Sequence, residues 1–248
     1  MPLSGFFKEN QSVAIAFSGG VDSAYLLYAA MQYGERVKAY YVKTAFQPQF
    51  ELEDALRLAE DLGADLQILH ADILCNATVA ANPADRCFHC KKKLFSEIRK
   101  AAEADGFSVL LDGTNASDDA SDRPGMRALA ELSVRSPLRE CGLTKETIRQ
   151  LSKAAGLFTH DKPAYACLAT RIPTGETITK EKLQRTEAAE AYLHSLGFRD
   201  FRVRSRGDMA TIQLRPQDLP LLMTHRADVV KKLKTDYTSV VLDLEVRL

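Results

Sequence analysis

Ser18-Gly19-Gly20-Val21-Asp22-Ser23 follows an apolar run, Val13-Ala14-Ile15-Ala16-Phe17, and precedes Ala24-Tyr25-Leu26-Leu27-Tyr28-Ala29-Ala30, whose pattern is helical. The context is strand, glycine turn, helix. Gly19 and Gly20 let the backbone approach an anion closely. The helix start offers unpaired N–H groups and the positive end of its dipole. Ser18 and Ser23 add hydroxyl donors. The loop is therefore built to hold phosphates. No Gly-Lys-Ser/Thr follows, so it is not a Walker A loop, and it lacks the Gly-x-Gly-x-x-Gly of dinucleotide folds.

Working outward, strand and helix patterns alternate over the first two-thirds of the chain. Arg36–Thr44 and Asp65–His70 read as strands, with a helix between them carrying Leu52, Leu56, Ala59 and Gly63 at helical spacing. A loop with Asn82-Pro83 leads to Cys87-Phe-His-Cys90, and a helix follows to about Ala104. Ser108–Asp112 is a fourth strand, Ser133–Pro137 a weaker fifth, and Ile148, Leu151 and Ala155 mark a helix ended near Gly156. This alternation predicts an α/β fold, a doubly wound parallel sheet with helices on both faces. Ligands of such sheets sit at strand carboxyl ends, near the reversal of strand order. The glycine loop, the Cys-x-x-Cys loop and Asp112–Asn115 all fall near or beyond proposed strand ends. Around Pro163–Pro173 the pattern changes. Ala189, Leu193 and Leu196 fit a helix closed by Gly197. Phe201–Arg204 and Ala210–Leu214 read as paired strands joined through Arg206-Gly207-Asp208, Leu219–Leu233 as helical, and Thr238–Leu244 as a last strand. The expected division is a nucleotide-binding domain over 1–168 and a smaller C-terminal α+β domain over 169–248.

The chain has 248 residues, with 33 Lys plus Arg against 33 Asp plus Glu, so its formal net charge is zero. That balance argues against a protein that coats nucleic acid or a membrane surface. The N-terminus lacks the charged and apolar regions of a signal peptide, and no stretch approaches the roughly 18 apolar residues of a membrane span. Five cysteines, an odd number without a secretory signal, point to reduced thiols and a cytoplasmic setting.

Cys87-Phe-His-Cys90 is the second chemical signal. It reads as half of a zinc site, although no second Cys-x-x-Cys exists to complete four ligands. It also reads as a dithiol pair, as two ligands of an iron–sulfur cluster with Cys167 as the distant third, or as two packed thiols without function. His89 is expected to be structural. Cys75 and Cys141 have no partner motif and are assigned to packing or incidental exposure. Asp118, Asp119 and Asp122 read as a solvated acidic loop.

Ser18-Gly-Gly-x-Asp-Ser23 resembles the pyrophosphate loop of the PP-loop ATP pyrophosphatases. The resemblance becomes specific when further stretches are added: Asn82-Pro-x-x-Arg-Cys-Phe-x-Cys-Lys91, Asp112-Gly-Thr-Asn115, Arg123-Pro-Gly125, Arg135-Ser-Pro-Leu138, and Lys162-Pro-Ala followed by Ala166-Cys-Leu-Ala-Thr-Arg-Ile-Pro173. Together these look like the LarE family, and the match spans nearly the whole chain. The resemblance implies an ATP-dependent sulfur transferase of nickel-pincer nucleotide synthesis. It would adenylate the carboxylates of pyridinium-3,5-dicarboxylate mononucleotide and convert them to thiocarboxylates. The family has two chemical versions. In one, a cysteine at the position of Cys167 gives up its own sulfur. In the other, three cysteines hold a [4Fe–4S] cluster that carries an extra sulfide. Cys87 and Cys90 beside Cys167 resemble the cluster version.

The resemblance also implies roles. Gly19, Gly20, Ser18 and Ser23 would cradle the departing pyrophosphate, and Asp22 would suit Mg²⁺ or its waters. Asp112, Asn115 and Lys162 would line the same crevice. Arg202 and Arg204 alternate with Phe201 and Val203, so both project from one strand face. LarE proteins hold the substrate's phosphate with an arginine pair on that strand, and Arg171 is expected to assist. A homo-oligomer and a sulfide donor are expected partners. Two rivals remain from the residues: a PP-loop enzyme that thiolates tRNA, for which zero net charge provides no extended basic surface, and a non-catalytic adenine-nucleotide-binding module with structural zinc.

Overall fold

The computed structural model describes residues 2–118 and 124–245. The chain forms two compact units, one from Met1–Ile73 with Asp85–Ala164, the other from Leu74–Ala84 with Tyr165–Leu248. It begins with α1 (Leu3–Glu9), β1 (Ser12–Ala16), α2 (Val21–Tyr33), β2 (Arg36–Lys43), α3 (Gln49–Leu62) and β3 (Leu66–His70). The short α4 (Ala77–Ala80) belongs to the second unit and precedes the long α5 (Arg86–Ala104) of the first. Then come β4 (Leu110–Leu111), α6 (Pro124–Glu131), α7 (Pro137–Glu140) and α8 (Lys145–Ala154).

The four strands of the first unit are parallel, in the order β3-β2-β1-β4. Successive side chains point to opposite faces of a strand, and both faces here are covered. Val13, Ile15, Ala39, Tyr41 and Leu111 pack in one core with Phe7, Leu26, Leu58 and Ile148. Ala14, Tyr40, Val42 and Leu110 pack in the other with Ile98 and Ala102 of α5. This is the doubly wound α/β arrangement. From β1 the chain moves outward to β2 and β3, then returns to the opposite side of β1 as β4. The strand order therefore reverses between β1 and β4, and in such sheets ligands bind beyond the carboxyl ends of the strands at that reversal.

Several local expectations shift. The fourth strand shrinks to Leu110–Leu111, and Ser133–Pro137 contributes one bridge, Leu111 to Arg135, instead of a fifth strand. Ser133 adopts φ 51°, and Pro137, which has no N–H to donate, starts α7. Cys87 and Cys90 lie inside α5, not in a loop before it. On α3, Leu56 faces solvent while Ala55 and Leu58 are buried, and Leu151 of α8 is likewise exposed. Gly63 closes α3 at φ 65°, the left-handed cap that glycine adopts without strain.

The second unit continues with α9 (Lys180–Ser195), β5 (Arg202–Arg206), β6 (Met209–Gln213), α10 (Leu219–Thr224), α11 (Arg226–Leu233) and β7 (Ser239–Leu242). The expected helix over 219–233 is thus split at His225. β5 and β6 form an antiparallel hairpin, and β7 runs parallel to β6. Leu193, Val203, Ile212, Val229 and Leu233 fill its core. Residues 74–84 attach through Asn82, whose Nδ2 donates to Pro173 O at 2.7 Å, and through Ile178 N–H to Ala80 O at 2.8 Å. Among the described residues no helix is long and apolar enough to cross a membrane.

The phase of α3 is directly testable. Leu58→Ala is expected to lower the unfolding free energy by about 2–5 kcal/mol, the usual cost of an emptied leucine site. Leu56→Ala should stay within about 0.5 kcal/mol. Urea titration of both variants checks the assignment.

Candidate active site

The loop from Ser18 to Ser23 is closed by its own hydroxyls. Ser23 Oγ accepts from Ser18 N–H at 3.2 Å, lies 3.0 Å from Ser18 Oγ and donates to Gly20 O at 3.2 Å. Ser23 is buried and Ser18 exposed, so Ser23 braces the turn and Ser18 faces outward. Gly19 sits at φ 72°, and a Cβ there would meet Ala55 Cβ and Glu51 O, each at 3.3 Å. Only glycine combines that backbone with so close an approach to α3. Gly20 caps α2 with no side-chain bond to the first-turn N–H groups. Such groups are the donors an anion would take.

Asp22 follows in the first turn of α2. Its Oδ1 accepts from Asn115 Nδ2 at 3.3 Å, and its Oδ2 pairs with Lys145 Nζ at the start of α8. The segment after β4 is pressed onto the same turn, since a Cβ on Gly113 would stand 2.9 Å from Ser23 N. Asp112 is buried beside it, with one oxygen accepting from Thr114 Oγ1 and the other from Ser136 Oγ, each at 2.5 Å. Those bonds give Asp112 a bracing part, holding the segment that presents Asn115. Asp119, Asp122 and Arg123 lie outside the described residues.

Lys162 reaches the loop from the other side. Its ammonium pairs with Glu51 at 3.1 Å and Asp54 at 2.7 Å and approaches Gly19 O at 3.4 Å. Burial pushes the Glu51 carboxyl above the ordinary carboxylate range, although Lys162 draws it back. The buried Tyr41 hydroxyl is raised first by burial and then by the charges of Glu51 and Asp54.

Cys87 stands in the first turn of α5 and Cys90 at the start of the second, three residues apart and so on one helix face. Cys87 is exposed and Cys90 partly so. Arg86 donates to Cys87 Sγ at 3.7 Å, and Arg127 stacks over the Phe88 ring at 4.0 Å. His89 Nε2 pairs with Asp85 at 3.2 Å, in keeping with a structural part. Cys75 is exposed, and Cys141 is partly buried against the core of the first unit.

In the second unit Cys167 precedes a short 3-10 turn, Leu168–Arg171. Arg171 is buried and doubly paired with Glu190, Nε to Oε1 at 2.8 Å and Nη2 to Oε2 at 3.1 Å. Its Nη1 donates to Ala166 O at 2.7 Å and Thr170 Oγ1 at 2.9 Å. Burial disfavours its charge, and the bonds and charge of Glu190 overcome that, so its pKa stands above the ordinary value. Tyr165 completes the network through its hydroxyl to Glu190 at 2.6 Å. Arg171 therefore holds the backbone just before Cys167 and the Thr170 hydroxyl after it, which in turn donates to Cys167 O at 2.9 Å. Arg204 Nη1 adds a bond to Thr170 O at 3.1 Å, and its Nε donates to Gln213 at 2.6 Å. Arg202 and Arg204 share a half-buried face of β5. Thr211, directly across from Arg204, is buried, and its hydroxyl has no hydrogen-bond partner.

Sequence reading missed Lys145, Glu51, Asp54 and Glu190. The last three look like ordinary helix charges. Lys145 carries a signal, because a cation at the first position of a helix opposes the dipole, by about 0.3–1 kcal/mol.

An open parallel sheet with a serine- and glycine-lined phosphate loop at its switch point defines a nucleotide-using α/β enzyme of the PP-loop type. Residues 12–93 match the model of the queuosine biosynthesis protein QueC. The chain is 40% identical over 220 residues to the uncharacterized protein slr1717 of Synechocystis, covering 88% of this chain and 81% of that one. It is 35% identical over 214 residues to the pyridinium-3,5-bisthiocarboxylic acid mononucleotide synthase of Lactiplantibacillus plantarum, covering 86% of this chain and 78% of the synthase. It is also 26% identical over 197 residues to the tRNA-specific 2-thiouridylase MnmA of Thermotoga sp. strain RQ2, covering 60% of this chain and 54% of that enzyme. The chain belongs to the LarE family of ATP-dependent sulfurtransferases.

The Arg171–Glu190 pair sets a test of the Cys167 segment. Arg171→Met leaves a buried carboxylate unpaired, which costs about 3–5 kcal/mol. Denaturant unfolding should show that loss, and limited proteolysis should open the chain near Cys167.

Proposed function

We propose that this chain adenylates the carboxylates of a pyridinium dicarboxylate mononucleotide and replaces them with thiocarboxylates. The observation that supports this most is the Ser18–Ser23 phosphate loop, with Asp22 and Asn115 beside it, in a chain 35% identical to a synthase of the bisthiocarboxylic acid mononucleotide. A carboxylate is a poor electrophile, since it is charged and has no leaving group. In the proposed first step its oxygen bonds to the α-phosphorus of ATP, and the α–β bridging bond breaks. Pyrophosphate departs onto the N–H groups of the loop and Ser18. The acyl-adenylate then accepts a sulfur nucleophile at its carbonyl carbon, and AMP leaves with the former carboxylate oxygen.

Asp22 fits a magnesium ion, a hard cation that takes one or two carboxylates beside substrate phosphates and screens their charge. Cys87 and Cys90, three residues apart on α5, would supply two ligands of a [4Fe–4S] cluster and Cys167 the third, although no three such side chains are grouped for a metal among the described residues. Held by three thiolates, such a cluster would supply an exchangeable sulfide as the sulfur nucleophile. The other source of sulfur is Cys167 itself, given up once. The arginine face of β5, with the unpartnered Thr211 hydroxyl, suits the substrate's phosphate, because guanidinium groups bind phosphate in a bidentate fork. Arg171 is the positioning residue of the Cys167 segment. The same reading includes a homo-oligomer in the cytoplasm supplied by an external sulfide donor.

The 2-thiouridylase relatives favour a second reading, thiolation of tRNA. A gel shift with bulk tRNA separates the two, since zero net charge gives the first reading no reason to retain RNA.

ATP with the dicarboxylated nucleotide should yield AMP and pyrophosphate, and Asp22→Ala should abolish the yield. ADP and inorganic phosphate would contradict the proposal. After anaerobic purification, alanine at Cys87, Cys90 or Cys167 should remove the visible absorbance of a cluster, while Cys75→Ala and Cys141→Ala retain it. A single turnover, after which Cys167 has lost the mass of hydrogen sulfide, would establish the sacrificial route instead.

A further inference from the structure

Two lysines among the described residues contact the phosphate loop or its helix, and they are held differently. Lys162 lies between two carboxylates, and only 13% of its side chain is exposed. Its charge is already more than matched. Lys145 is paired with a single carboxylate, Asp22, and 37% of its side chain is exposed. Its main chain is fixed. Lys145 N–H donates to Ser117 Oγ at 3.0 Å, Ala116 N–H donates to Leu143 O at 2.8 Å, and the Thr144 hydroxyl caps α8 through Thr147 N–H at 3.2 Å. Only the four-carbon arm is left to move, and it swings about an anchored Cα.

We propose that Lys145 is a catalytic residue of the adenylation site, whose ammonium moves from Asp22 to the polyphosphate of bound ATP and bonds the pyrophosphate as it departs. This rests on the adenylation reading above. Both oxygens of Asp22 are engaged, by Asn115 and Lys145, so a divalent cation on this carboxylate competes with the Lys145 ammonium for its charge. A released ammonium beside a helix N-terminus is poorly placed by itself, because the dipole repels it. It is well placed once the phosphates of ATP lie on that same N-terminus. Departure of pyrophosphate concentrates negative charge on the leaving group, and the loop itself contains no lysine to meet it. Lys145 supplies that missing cation from α8. In the free protein the pair also keeps Asp22 from taking a cation before nucleotide arrives.

The test uses the full chain with Lys145→Met and Lys145→Arg. Manganese binding without nucleotide, followed by electron paramagnetic resonance, should tighten at least about fivefold in Lys145→Met, because Asp22 is released. Calorimetric affinity for ATP with magnesium should fall at least about tenfold, 1.4 kcal/mol. Pyrophosphate release should fall further than binding does, and Lys145→Arg should recover part of both. Unchanged manganese and ATP binding in folded Lys145→Met would overturn the proposal. So would equal weakening of the two, which marks a merely structural lysine. If Lys145→Met does not fold, Lys145→Gln is read in the same way. Neither binding arm needs the carboxylate substrate. A parent protein that binds ATP but forms no pyrophosphate when the dicarboxylated nucleotide is supplied refutes adenylation, whereas normal pyrophosphate formation with unaltered binding in the variant refutes the part given to Lys145.

Discussion

Gly19 and Gly113 press the chain against its neighbours at the carboxyl ends of β1 and β4, and the nucleotide end of the first unit depends on those two approaches. At Gly19 the left-handed backbone brings the loop within van der Waals contact of α3. At Gly113 the returning chain lies against the first residues of α2, with no room for a methyl group. Between them the first turn of α2 keeps its N–H groups free of side-chain caps. The cores on both faces of the sheet hold this geometry rigid, so the loop is organised before any ligand arrives. Preorganised donors of this kind stabilise developing charge without reorganisation during the reaction.

Charge around the loop is arranged in pairs. Lys145 sits on Asp22, and Lys162 sits on Glu51 and Asp54. Each pair holds a cation within reach of the phosphate-binding turn, with its anion beside it. The largely covered Glu51 side chain and its buried neighbour Tyr41 make the α3 side the drier and more tightly held of the two. The Lys145 side is more open, which suits a group that changes partner. In the second unit a buried ion pair does a different job. Glu190 gathers Arg171, Tyr165 and the N–H of Val203, so the Cys167 segment is tied at once to α9 and β5.

The alternation of strand and helix, the parallel sheet and the phosphate turn were legible because each rests on local pattern. Two-residue periodicity, glycine at a strand–helix junction and helix-closing glycines all act within a few residues. What was not legible depends on partners distant in sequence. The fifth strand failed because Pro137 starts a helix, which leaves Arg135 a single bridge to Leu111. Leu56 looked like a core residue until α3 was docked along the Ala55–Leu58 stripe. Asp112 accepts from Thr114 and from Ser136, and the second of these partners is distant in sequence. Residues 74–84 pack with the second unit through Asn82, a contact that nothing in their own sequence announces. Lys145 and Glu190 are surface-type residues in sequence, and only the fold gives them their partners.

The central claim is that AMP is transferred to a carboxylate oxygen. The most direct measurement supplies the pyridinium dicarboxylate nucleotide with oxygen-18 in its carboxylates and reads the AMP by mass spectrometry. An acyl-adenylate whose carbonyl carbon is attacked by sulfur must leave one heavy oxygen on the phosphate of AMP. AMP that carries the label in step with thiocarboxylate formation is the expected result. Thiocarboxylate formed while AMP remains unlabelled, or while ATP is converted only to ADP, would contradict the account.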